Sequence, residues 1–168
     1  MKIKNKALRV ILSLRPAFYL AIVALVLVAV GLSLHVKSYN ALGYVLNRFT
    51  ILYSVTTIAL MAFVIVNSVV AGNNKFSSVF VFAGGAVFSL FAGLLHISRT
   101  LANIGVYFTV NMGNAEANAA GVPPAIAGAV MYVIASVVIV AAAFFRPVKD
   151  GGSVLEVLSE GKEERHAN

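Results

Sequence analysis

The chain has 168 residues, of which 60% are apolar and only 11% charged, with a mean hydropathy of +0.92 and a formal charge of +7. Water-soluble domains carry about 25% charged residues, so this composition excludes an ordinary soluble fold, whereas lipid solvates an apolar exterior directly. The absence of cysteine excludes disulfides, cysteinyl zinc, iron–sulfur clusters and thiol chemistry; the cations flank apolar runs, which points to anionic lipid and topology signals and away from nucleic acid.

Residues 1–16 form a basic segment with five cations (Lys2, Lys4, Lys6, Arg9, Arg15) and no acid. Val10, Ile11, Leu12 and Leu14 lie among them and suit a short interfacial helix ahead of Pro16. Proline fits the first turn of a helix, where its missing N–H is not needed. Residues 17–36 are the first span, 20 residues without a charge, which matches the hydrocarbon core at ~30 Å as a helix. Ala29-Val30-Gly31 also resembles a signal-cleavage site, but the apolar run is long for a signal peptide and reads as a retained span.

A polar-aromatic connection leads to the second span, 49–71, which carries Ser54, Thr56, Thr57 and Asn67. Gly72-Asn73-Asn74-Lys75 is a compact turn, so spans two and three form an antiparallel hairpin. The third span covers 76–97. The connection from 98 to 123 is the longest. Within it, 101–112 holds enough β-branched and aromatic residues to lie on the membrane surface or pack over the helix ends, and 113–121 is small and polar. Pro123-Pro124 opens the fourth span, 125–145, which Arg146-Pro147 closes. In the tail, 147–168, Ser153 and Glu156 match a capping box and suggest a short surface helix.

The expected fold is therefore an all-α integral membrane protein with four transmembrane helices, over 17–146, in an up-down-up-down bundle. Positive-inside counting assigns Lys2, Lys4, Lys6, Arg9, Arg15, Lys75, Arg146, Lys149, Lys162 and Arg165 to one side, against Lys37, Arg48 and Arg99 on the other. Both termini then lie in the cytoplasm of a cell-membrane protein, and His35 and His96 approach the opposite face together.

Small residues recur at helical spacing. At about 100° per residue, Gly85, Ser89, Ala92 and His96 point one way, with Gly93 beside them. Ala17, Ala21, Ala24, Val28, Gly31 and His35 repeat the pattern in span one, and Ala125, Gly128, Ala129 and Ser136 offer a third small face in span four. Such stripes let helix backbones approach closely in lipid. They serve packing within the bundle, self-association into a homo-oligomer, or docking to a larger membrane protein complex. The segment Gly31-Leu32-Ser33-Leu34-His35, with Lys37, Gly43, Tyr44 and Asn47, parallels Ala92 to His96 with Arg99, Gly105, Tyr107 and Asn111. A duplicated helical hairpin is one reading of that likeness and chance similarity between apolar segments is the other.

Three readings of His35 and His96 compete. The plainest is an interfacial histidine bonded to a carbonyl or to water. The second is bis-histidine haem b, with glycines giving clearance and Arg48, Arg99 or Lys37 near the propionates. The third is a pH- or metal-sensitive contact between the halves, although two histidines alone make a poor zinc site. No span contains an acid, which weighs against proton-driven export, and no phosphate loop or nucleophile–base set occurs. The four-span layout is similar to that of claudin-like and MARVEL-type scaffolds, in layout only, since the claudin tryptophan and cysteine pattern has no counterpart here.

The expected function is thus a non-enzymatic, multi-pass accessory or structural subunit or homo-oligomer, with no metal or obligate cofactor. The alternatives are a haem b electron-transfer subunit, and a small channel or transporter lined by Ser54, Thr57, Asn67 and Ser89.

Overall fold

The computed structural model describes residues 16–70, 75–109 and 115–145. They form four helices: α1 (Pro16–Leu42), α2 (Arg48–Val70), α3 (Lys75–Thr109) and α4 (Ala115–Ala143). All four are long and apolar enough to cross a membrane. No strand occurs among the described residues. The expected N-terminal interfacial helix, the turn at 72–74 and the C-terminal surface helix lie outside the described residues.

Local chemistry sets the α1–α2 corner. Gly43 has φ +69°, a left-handed conformation that glycine adopts without a Cβ penalty. The Tyr44 amide then donates to the Tyr39 carbonyl at 2.8 Å and the Gly43 amide to Asn40 at 3.3 Å. That pair of bonds is the Schellman stop, which satisfies carbonyls left over at a helix end. Asn47 starts the next helix: its Oδ1 accepts from the Phe49 and Thr50 amides at 3.0 and 3.4 Å, as an N-cap should.

Three boundaries differ from the sequence expectation, the first being the end of α1, which runs to Leu42 where the first span was expected to stop at 36. The stretch 101–109 is not a separate surface segment but continues α3, which has 35 residues and a length of ~52 Å. Pro123 and Pro124 do not open α4; they lie inside a helix that already starts at Ala115. A proline φ suits a helix, and what it loses is the amide that would bond four residues back. Here those carbonyls belong to Ala119 and Ala120, both exposed, where other donors can reach them.

The helices surround one core in the order α1, α2, α3, α4, with α4 returning to α1. The α1–α4 and α3–α4 contacts are the most extensive, and α2 is held more lightly. One end of the bundle is apolar. Ala17, Ala21 and Ala24 of α1 meet Met61 and Val64 of α2, Phe82 and Ala86 of α3, and Ile139 and Ala142 of α4. Toward the other end, Val28, Ala92, Tyr132 and Ala135 form a second cluster. Beyond it polar residues, His35, Ser38, Thr50, His96, Thr100 and Asn118, are buried alongside Tyr39, Val122 and Ala125. The exterior is the reverse of a soluble protein's, with Val23, Val26, Leu52, Phe63, Val66, Phe80, Phe91, Leu94, Val137 and Val140 exposed.

The predicted small residues fall within this core. Ala24, Gly31, Gly85, Ser89, Ala92, Gly93 and Gly128 are all buried against neighbouring helices of the same chain. The two hairpins are not packed alike, because α1 and α3 both lean chiefly on α4 while α2 has no comparable role.

Candidate functional site: a polar node at one end of the bundle

The node begins with Tyr132, fully buried on α4. Its ring fits between two glycines. A Cβ on Gly31 would lie 3.2 Å from the tyrosine Cζ, and one on Gly93 would lie 2.9 Å from the tyrosine Cβ. Both glycines therefore clear space for this phenol. The Tyr132 hydroxyl pairs with Ser54 Oγ on α2 at 2.7 Å, while Ser54 also bonds the Thr50 carbonyl at 2.7 Å. The Tyr132 carbonyl accepts from Ser89 Oγ at 3.0 Å, and one turn further along the helices Ser136 Oγ donates back to the Ala86 carbonyl at 3.1 Å. The α3–α4 pair is thus clasped reciprocally by two serines.

Next along the axis lie His35 of α1 and His96 of α3, both fully buried. Their Nδ1 atoms are 2.9 Å apart. His96 Nε2 is also 2.9 Å from the Ala125 carbonyl, and Gly128 makes this possible, since a Cβ there would sit 2.9 Å from that nitrogen. The contacts fix the protons of a neutral pair. A carbonyl only accepts, so His96 Nε2 carries hydrogen and its Nδ1 is a lone pair. His35 must then donate from Nδ1, which leaves its Nε2 as a lone pair too. Ordinary hydrogen-bond logic therefore assigns opposite tautomers to the two rings.

Among the described residues, His35 Nε2 has no hydrogen-bond partner, and neither do Ser38 Oγ, Tyr39 Oη and Thr50 Oγ1. All four residues are fully buried. Leaving such a group unpaired costs about 1–3 kcal/mol. Tyr39 stacks over the pair, with ring centroids 4.1 Å from His35 and 5.9 Å from His96. Outside it, the Tyr44 hydroxyl donates to Asn103 Oδ1, and Asn103 Nδ2 donates to Asn118 Oδ1 at 3.1 Å. The ends of α3 and α4 that extend beyond the histidines are tied together by this second polar layer.

His35 and His96 are thus brought together, with their facing nitrogens in hydrogen-bond contact. Two imidazole–metal bonds of about 2 Å each put the nitrogens ~4 Å apart, whereas here the facing nitrogens touch through one hydrogen. The glycines that suggested porphyrin clearance are filled by Tyr132 and His96 themselves. Arg48, Arg99 and Lys37 are exposed. No group of three or more metal-ligating side chains occurs among the described residues. Of the suggested channel-lining residues, Ser54, Thr57 and Ser89 are buried and each bonds a backbone carbonyl, while Asn67 is half-buried.

Tyr132, Tyr39, Ser38, Thr50 and Asn118 were not singled out from the sequence. Tyrosines in an apolar span carry no period of their own. The available signal was the pairing of glycines on two helices, which shows where something large must enter but not from which helix.

Comparison with known proteins yields no match, whether with a family model, a curated protein or a solved structure.

Proposed function

We propose that this chain is a non-enzymatic, multi-pass membrane protein that acts as an accessory or structural subunit. Its four helices cross the bilayer in alternating directions, with both termini in the cytoplasm. The observation that carries the reading is how residues sort between the faces of each helix. Buried positions are mostly small or hydroxylated, and exposed positions are large and apolar. A bilayer rewards that inversion, because close packing and interhelical hydrogen bonds replace the hydrophobic drive between helices. At ~52 Å, α3 outreaches a hydrocarbon core of ~30 Å, so its last turns, with Leu101, Tyr107 and Phe108 exposed, belong to the interface, where aromatic rings are favoured.

The partner-facing surface follows from the same sorting. The small stripes face inward, so a second copy or a larger membrane protein meets Val, Leu and Phe side chains on the outside. Gentle detergent extraction with mass determination tests this. An oligomer or a stable heteromeric particle supports the reading, and a strictly monomeric chain that never co-purifies with a partner contradicts it.

The transport alternative is disfavoured by the apolar end of the core, where Met61, Val64, Phe82 and Ile139 meet alanines and the buried Ser68 and Ser136 hydroxyls are already bonded to backbone carbonyls. The haem alternative is disfavoured by the direct histidine contact. A Soret band in pure protein, lost on His96→Ala, would reinstate it.

A further inference from the structure

We propose that the polar end of the bundle contains a binding site for an internal water molecule, anchored on the His35 Nε2 lone pair and framed by the Tyr39 and Thr50 hydroxyls. Hydrogen-bond accounting at His35 points to this site whether or not the protein is an accessory subunit. His96 uses both ring nitrogens, one to His35 and one to the Ala125 carbonyl. His35 uses only one, and its other nitrogen is buried without a partner among the described residues. The unpaired atom is an acceptor, because donation from His35 Nδ1 follows from the His96 contacts.

Its neighbours are also incompletely paired. Tyr39, one helical turn along the same face of α1, has its ring centroid 4.1 Å from that of His35 and an unpartnered buried hydroxyl. Thr50 stands one turn from Ser54, which reaches Tyr132, and the Tyr132 ring lies 6.4 Å from His96. That places Thr50 on α2 near the level of the histidine pair, again with a buried unpaired hydroxyl. A lone acceptor and two hydroxyls, each able to donate or accept, match the demands of water, which needs two to four polar partners to occupy an interior site. Apolar guests would leave every one of these atoms unpaired. An anion would face a lone pair, and a metal ion would find a single imidazole with no acid beside it.

The guest also gives the histidine pair a defined chemistry. A proton added to His35 Nε2 leaves the Nδ1–H···Nδ1 contact intact, whereas one added to His96 Nδ1 removes its acceptor. Water at Nε2 therefore sits where a proton can be received without breaking the pair.

The test is solid-state NMR on the full chain, labelled with ¹⁵N-histidine, in lipid bilayers. Water-edited spectra should show magnetisation passing from bound water to His35 Nε2, with His35 in the Nδ1–H form and His96 in the Nε2–H form. Thr50→Val and Tyr39→Phe keep size and shape while removing a hydroxyl, and at least one should weaken the water signal several-fold while the His96 tautomer reports an intact fold. A wild-type His35 that receives no magnetisation from water overturns the proposal. So does a water signal unchanged in both variants.

Discussion

Tyr132 shows how one side chain gives meaning to residues on three other helices. Gly31 and Gly93 hold its ring, and Ser54 meets its hydroxyl. Gly93→Ala places a methyl 2.9 Å from the tyrosine Cβ, a contact that neither the backbone nor the ring relieves cheaply, and should cost about 1–3 kcal/mol. Gly105→Ala has nothing within 4 Å of the new methyl; it should be neutral or stabilise by up to ~1 kcal/mol through helix propensity. Equilibrium unfolding in mixed detergent measures both. The same assay separates the two roles of Tyr132. Tyr132→Phe removes only the interhelical bond and should cost about 0.5–2 kcal/mol, while Tyr132→Ala empties the slot and should cost ~3–5 kcal/mol. Equal losses in the two variants would mean that the glycine slot does not hold the ring. At this scale the sequence was half legible. The periodic glycines and the histidine pair were visible because helical spacing is a property of one chain segment. The tyrosine between them was not, because its place depends on the register of one helix against another.

Among the elements, α4 and α2 stand at opposite extremes. In the apolar windows of these helices, 44% of α4 is buried and only 28% of α2, and α4 is the main neighbour of both α1 and α3. Hydrogen exchange should therefore be faster in the core turns of α2 than in those of α4. Protection that is equal in the two, or greater in α2, would contradict this packing order. The α4 prolines mark the limit of reading boundaries from residue type. Proline is a common helix opener, so Pro123-Pro124 reads as a start, yet α4 runs more than two turns before it because tertiary contacts pay for the lost bonds. Gly121 presses on α1 there: a Cβ on it would lie 2.6 Å from Leu42 Cγ and 3.2 Å from the Ser38 carbonyl. Pro123→Ala restores an amide to the Ala119 carbonyl and should raise unfolding stability by about 1–3 kcal/mol. The α1–α2 corner lies later than the hydropathy break at 36 suggests, because Gly43 and Asn47, residue types that stop and start helices, set it.

At the scale of the whole molecule, the apolar exterior and the polar node describe one arrangement. Many of the polar side chains of these helices are buried, several of them bonded to a carbonyl, a phenol or an imidazole, while valine, leucine and phenylalanine cover most of the outside. Four helices long and apolar enough to cross a membrane were legible from hydropathy alone, because so low a share of charged residues could not cover a soluble fold. Which faces meet was legible only as stripes. The absence of native cysteine makes the orientation directly measurable with single introduced thiols in intact cells. With both termini in the cytoplasm, a cysteine at Asn40, exposed in the last turn of α1, should react with a membrane-impermeant maleimide from outside, while cysteines at Lys2 and Asn168 should react only after permeabilisation. Labelling of either terminus in intact cells, or recovery of the chain in the soluble fraction, would contradict this arrangement.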